Sequence, residues 1–491
     1  MSARLGLFII LGVTLWRVIT LHFDTTDLFV DEAQYWFWSQ NLDFGYYSKP
    51  PMIAWVIRAM TELAGSTSIY WIRVGGPLIH MATSIMLMKT AKRFVGPDIE
   101  GWTGVTFITL PGVALSSAFF STDVVLLFFL TVALWAYFGL IAKPSASLAI
   151  LMGFAFGCAF LSKYAILFVV PGGLIALILL PSARIAWRHF FISVIVALAV
   201  AAPNFWWNLA HDGTTIRHTT NIAHWSKLGI DVAGGLEFFA AQFGVVGPIV
   251  FFAMLWAVAR AFKGKNNERE ALLIWLSIPV VLLITLQALV AKAYANWGVT
   301  AYSAGTILAV WLLHRLWPKG LRLSLAINGT ASFLFPLAAV FAHQLVLPNG
   351  NEIMKRYLGR SAISREAGEL ARRSATSIIV SDSRDLLADM FHTLRNDPVR
   401  IYAKPPAGAP DNYYEQTFSL PGDITDSVLF VTMHPVDCVQ SPELVPRHRD
   451  YDGLGYRRMG KSSGGMRSWM LRAAPGTRDI NPAFSRVSTI W

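Results

Sequence analysis

The chain has 491 residues, of which 54% are hydrophobic and 14% charged, and its formal net charge is +11. A soluble domain carries about 25% charged residues, so this composition excludes a soluble globular protein and indicates a polytopic membrane protein. The positive balance fits basic cytoplasmic loops and anionic lipid, and no nucleic-acid partner is expected.

At the roughly 20 residues that a bilayer crossing needs, about eleven spans can be drawn. They cover residues 5–22, 74–91, 103–120, 124–142, 148–162, 164–181, 190–206, 237–259, 271–290, 297–314 and 322–346. The first lacks a small-residue cleavage site and reads as a retained helix. Short basic segments at 89–94, 184–188, 260–269 and 314–322 place the N-terminus and these loops in the cytoplasm. The opposite loops include 23–73 and 204–236 and hold Asp31, Glu32 and Asp123. Beyond residue 348 the long apolar runs stop. Residues 377–403 read as strand, helix, strand and 428–433 as another buried strand. The expectation is an all-α membrane domain over 1–348, with a small α/β domain over 349–491 on the periplasmic side that ends in a loosely ordered Gly/Ser-rich stretch. Cys158 and Cys438 are too remote to be expected as a disulfide.

Polar residues in so apolar a chain cost free energy and mark function. Asp31 and Glu32 are adjacent carboxylates where the first span leaves the bilayer. They suit a general base, an acceptor ligand or a helix cap before residues 33–40. Tyr35, Trp36 and Trp38 follow, as rings for sugar stacking or as an interfacial belt. Tyr47 precedes Lys49, whose stretch is kept extended by Pro50 and Pro51. Asp123 interrupts two apolar runs as a second acid or a cap. Lys163 reaches the same predicted face as Lys49, and two lysines there suit an anionic group. The 204–236 loop holds Trp207, His211, Arg217, His218 and His224, of which Trp207 and His218, together with Tyr47, are candidate contacts of the sugar substrate. Arg217 suits a phosphate clamp, and Glu32, His211 and His218 are the ligand candidates should a divalent metal bind. Lys292 and Asn296 open the next helix as sugar or phosphate contacts. Arg17, inside the first span, suits snorkelling or a buried ion pair.

Taken together, DEAQYW (31–36), YYSKPP (46–51), STD ending at Asp123, FLSK ending at Lys163, PNFWWN (203–208) and ANW (295–297) resemble the GT-C membrane glycosyltransferases. Within that class they are similar to the protein-mannosyltransferase and lipid A aminoarabinose-transferase superfamily, glycosyltransferase families 39 and 83. The resemblance implies the GT-C fold and inverting transfer of a sugar from a polyprenyl-phosphate donor to a glycolipid or glycan acceptor, such as lipid A or lipopolysaccharide core. Transfer would take place at the periplasmic face of the bacterial inner membrane. It further implies Asp31 as the base, Asp123 as an assisting acid, and Lys49, Lys163 and Arg217 on the leaving phosphate. Ser48 departs from the pattern, and the zinc ligands known in aminoarabinose transferases have no counterpart that can be matched. A protein acceptor is the alternative within the enzyme reading. A transporter or flippase of lipid-linked sugars is the alternative outside it, and the clustering of acids at one predicted face argues against it.

Overall fold

The computed structural model describes residues 1–222, 229–424 and 426–433, together with three later strands, 445–451, 454–460 and 467–473. These residues form two compact units. The first comprises residues 1–24 and 42–337, and the second comprises 25–41 and everything from 338 onward. The predicted first loop, 23–73, is thus divided between them.

The first unit is helical. Five helices are long and apolar enough to cross a membrane: Ala3–His22, Thr122–Ala142, Trp187–Ala210, the stretch Glu268–Val290, and Pro318–Val340. A bent pair, Val232–Val245 and Pro248–Phe262, brings the number to six among the described residues. The pair replaces the single span drawn at 237–259, because its two halves meet at 116°. The corner is made by Gly247, at φ 86°, followed by Pro248 at the start of the second helix. Positive φ favours glycine and the proline ring is pre-set for a helix start, so the corner is written in the sequence. Of the other predicted spans, 74–91 is one unbroken helix, Gly75–Phe94, whose last turns carry Lys89, Lys92 and Arg93, and the rest are shorter helices or broken ones. Residues 103–120 divide into Glu100–Thr109 and Pro111–Ala118 at Pro111, which cannot donate the next hydrogen bond. Residues 164–181 divide into a 3₁₀ turn, Tyr164–Phe168, and the helix Val169–Leu179.

Packing in this unit relies on small residues. Helix Ala146–Ser162 lies closely against Trp187–Ala210, since a Cβ on Gly153 would stand 2.3 Å from the Ser193 carbonyl oxygen. Where water supplies no driving force between apolar helices, close contact through small residues takes its place. Arg17 is fully buried and neither snorkels nor pairs with an acid among the partners seen. It donates to Ser117 Oγ at 2.9 Å, the Ile108 carbonyl at 2.6 Å and Ser332 Oγ at 2.8 Å. The Ile108 carbonyl lies just ahead of the break at Pro111, so Arg17 takes up an oxygen near the interruption of the helix ladder.

The second unit is α/β. Its sheet contains β1 (Ile378–Ser381), β2 (Arg400–Ala403), β3 (Val428–Val431), β4 (Val445–Tyr451), β5 (Leu454–Gly460) and β6 (Arg467–Ala473), in the order β2-β1-β3-β6-β5-β4. β2, β1, β3 and β6 run parallel, and β4 and β5 join antiparallel. The first three strands answer the predicted apolar runs. The last three lie where a loosely ordered end was expected: their sequences are interrupted by charge and lack an unbroken apolar run. Helix Val30–Ser39, from the early part of the chain, packs on helix Arg384–Thr393 in this unit. Phe37 meets Phe391 at 4.6 Å and Phe418 at 5.4 Å between ring centres, and Trp36 meets His392 edge-on at 4.6 Å. Asp27 accepts from the Arg360 and Ser361 amides at 2.8 and 3.3 Å, capping helix Arg360–Arg373 from 333 residues away in the chain.

Candidate active site

In the membrane unit, Asp123 lies in the first turn of Thr122–Ala142, where the helix N-terminus favours a carboxylate. Its Oδ1 accepts from Lys163 Nζ at 2.6 Å and its Oδ2 from Asn296 Nδ2 at 2.7 Å. Three residues singled out from separate motifs therefore meet. Lys163 stands in extended backbone just past helix Ala146–Ser162, and Asn296 is exposed on the 3₁₀ helix Ala295–Ala301. Gln242 ties that turn down by donating to the Ala295 carbonyl at 3.3 Å and accepting from Tyr302 Oη. Lys292 is exposed a few residues earlier, with its ammonium 4.8 Å from the centre of the Tyr294 ring.

The segment leading to Lys49 is held by the end of helix Trp187–Ala210. Trp207 Nε1 donates to Asp43 Oδ2 at 2.7 Å, Asn204 Nδ2 to the Phe44 carbonyl at 2.7 Å, and Thr215 Oγ1 to the Tyr46 carbonyl at 2.7 Å. Gly45 is required by this approach, because a Cβ there would sit 2.4 Å from the Trp207 ring. The Tyr46 amide closes the turn onto the Lys49 carbonyl at 3.1 Å. Tyr47 packs against His218 at 4.6 Å between ring centres, and Arg217 is exposed on the same helix, Thr214–Ile222. Trp207 stacks on His211 at 4.1 Å and 12°. Its indole thus serves the loop, a role that the expectation of a sugar contact did not include.

Asp31 belongs to the second unit. It lies inside helix Val30–Ser39, which starts three residues earlier than predicted, so Asp31 does not precede the helix as its cap. Arg384 Nη2 donates to Asp31 Oδ1 at 2.6 Å and to Gln34 Oε1 at 2.7 Å. Burial works to lower the Arg384 pKa, but the Asp31 carboxylate outweighs it and holds the guanidinium above its ordinary value. Both side chains keep over a third of their surface open, 35% for Arg384 and 40% for Asp31. Glu32 is different. It is 2% exposed and its carboxylate accepts from the Phe29 amide at 2.9 Å, which gives it the work of a cap. Tyr35, Trp36 and Trp38 are 4, 3 and 2% exposed, so in this arrangement they are packing residues and do not offer open faces to a sugar.

Among the described residues no group of three or more His, Cys, Asp or Glu side chains could hold a metal ion. Glu32, His211 and His218 therefore do not form the ligand set considered from the sequence. His224 and Cys438 lie outside the described residues. Reading the motifs missed Asp43, Tyr164, Gln34 and Arg384. Tyr164 was signalled only by its place beside Lys163, and nothing in the sequence connects Arg384 with Asp31.

The family model "Dolichyl-phosphate-mannose-protein mannosyltransferase" matches residues 48–207, which include Lys49, Asp123, Lys163 and Asn204. Lipid A galacturonosyltransferase RgtD of Rhizobium johnstonii is 68% identical over 92% of this chain and 96% of its own length. Lipopolysaccharide core galacturonosyltransferase RgtA of the same organism is 23% identical over 83% of each chain. Among solved structures, ArnT from Cupriavidus metallidurans superposes with a TM-score of 0.60 in the apo state and 0.61 bound to undecaprenyl phosphate. Identity is 15% and 14%, with 82% of this chain covered in both cases and 87% and 86% of ArnT. That likeness is one of fold. Identity of 68% over nearly the whole length is one of family, and the chain belongs to the glycosyltransferase family of that Rhizobium enzyme, as a multi-pass membrane protein.

Proposed function

We propose that this enzyme transfers a galacturonosyl residue, with inversion, from a polyprenyl-phosphate carrier to lipid A at the periplasmic face of the bacterial inner membrane. The observation that carries the sugar and the acceptor is the 68% identity to a lipid A galacturonosyltransferase, against 23% to the core enzyme. In this reading an acceptor hydroxyl attacks the anomeric carbon and the bond from that carbon to the phosphate oxygen breaks. The proton passes to Asp31, and the bonding pair leaves on the polyprenyl phosphate. Such a step needs a base for the hydroxyl and positive charge on the leaving group. Lys49, Lys163 and Arg217 supply that charge. Asp123 orients Lys163 and Asn296, an arrangement supported by its two hydrogen bonds. Asn296, Lys292, Tyr47 and His218 contact the sugar. Glu32 takes its capping role in place of a catalytic one. The basic segments between the spans support a cytoplasmic N-terminus, and the α/β unit is then periplasmic.

The test is mass spectrometry of lipid A from the wild type, a deletion strain, and the deletion carrying Asp31→Asn. Loss of one galacturonosyl unit in both mutants is expected, with return on complementation by the wild-type gene. Unchanged lipid A in the deletion would overturn the reading. Full restoration by Asp31→Asn would remove Asp31 as the base.

A further inference from the structure

We propose that Asn204 and Tyr164 are positioning residues that fix Lys49 and Lys163 relative to one another, so that both meet a single phosphate. The inference rests on the reading of these lysines as ligands of the donor phosphate.

Helix Trp187–Ala210 buries few of its residues, and two of them are Asn204 and Asn208. Asn204 is 0% exposed and Asn208 4%. Two buried amides in a membrane-crossing helix are costly unless they are hydrogen-bonded, and when retained they mark a task. Their bonds run in two directions. Toward the early loop, Asn204 Nδ2 donates to the Phe44 carbonyl at 2.7 Å, beside the Trp207–Asp43 and Thr215–Tyr46 bonds. Toward the other lysine, Asn204 Oδ1 accepts from Tyr164 Oη at 2.7 Å, and Asn208 Nδ2 donates to Tyr164 Oη at 3.2 Å. Tyr164 follows Lys163 directly, and Lys163 in turn holds Asp123. One amide therefore joins the backbone five residues before Lys49 to the side chain next to Lys163.

The chain does not set this spacing by itself. Lys49 sits in a bend that the Tyr46 amide closes, where an extended stretch was expected ahead of Pro50 and Pro51, and Lys163 sits at the irregular end of a helix. Ammonium groups are point charges on flexible stems, so two of them share a phosphate reliably only if their backbones are fixed. The Tyr164–Asn204 joint does this between the 3₁₀ turn Tyr164–Phe168 and helix Trp187–Ala210, outside the reacting groups.

The test uses the full-length enzyme in lipid nanodiscs and undecaprenyl phosphate alone as the binding probe. Initial rates with varied donor and acceptor are measured alongside. Tyr164→Phe removes one hydroxyl and Asn204→Leu removes both directions of the joint. The expectation is donor KM and probe Kd raised about tenfold or more, with acceptor KM unchanged. A purely structural role would reduce the active fraction and leave both constants alone. Tyr164→Phe is the variant that keeps the test valid if Asn204→Leu does not fold. Unaltered donor KM and probe Kd in folded Tyr164→Phe would overturn the inference. Lys49→Ala and Lys163→Ala separate the layers. If these weaken probe binding while the joint variants do not, the inference alone fails. If they too leave it unchanged, the phosphate reading falls and takes the inference with it.

Discussion

Lys163 and Asp123 are 40 residues apart in sequence and form an ion pair at 2.6 Å, with side chains 15% and 8% exposed. The pair is bonded on its far side to Asn296, so the carboxylate is engaged at both oxygens. A carboxylate this enclosed does not lose its cation cheaply.

Lys163→Met should lower the stability of the purified enzyme by about 3–5 kcal/mol, because it strands a buried charge. The double variant Lys163→Met with Asp123→Asn should recover much of that loss while remaining inactive. Thermal unfolding in detergent, followed beside sugar transfer, checks both. Equal destabilisation in the single and double variants would show that the pair is not coupled.

Arg384→Ala should reduce transfer by at least about tenfold without unfolding the second unit, since the Phe37 aromatic cluster still docks helix Val30–Ser39. Arg384→Lys should restore only part of the rate. A single ammonium does not reproduce the fork that reaches Asp31 and Gln34 together. The comparison of kcat across the three proteins is the measurement. Full activity in Arg384→Ala would mean that Asp31 is held by other means.

Asp389 gives a pH dependence. Burial raises its pKa from 3.8 to about 6, against hydrogen bonds from Ser364 and Thr393 that favour the charged form. A carboxyl whose folded pKa is raised stabilises the fold fully below the unfolded value, and that contribution is lost as pH rises through the folded one. The second unit should therefore weaken between about pH 4 and pH 7, by no more than about 3 kcal/mol. Hydrogen exchange of the β1 amides, corrected for the intrinsic rate, should show this slope, and Asp389→Asn should flatten it. An unchanged slope in the variant would assign the effect to another group.

Asp27→Ala removes the cap on helix Arg360–Arg373 and should cost about 1–2 kcal/mol. Exchange should quicken first at the amides of Arg360 and Ser361. Protection equal to the wild type at those two sites would argue that water replaces the carboxylate without loss.

The apolar runs at 5–22, 124–142 and 190–206 were legible because a lipid-crossing helix must be apolar along its length, and the matching helices are Ala3–His22, Thr122–Ala142 and Trp187–Ala210. β1 and β3 were legible because buried parallel strands are short apolar runs, β2 because Ile401, Tyr402 and Ala403 follow the turn residues at 396–398, and Asp123, Lys163 and Asn296 stood out because charge and amide are rare in such a chain. The three-way meeting of those residues was not legible, nor was the membership of residues 25–41 in the second unit. Periodicity reports which face a residue takes on its own element and says nothing of what lies across from it. Asp31 and Arg384 are 353 residues apart, and Asp27 and Arg360 333. Only the closing of the chain, driven by burial and by the need to satisfy buried polar groups, decided which of many available cations and amides each carboxylate would find.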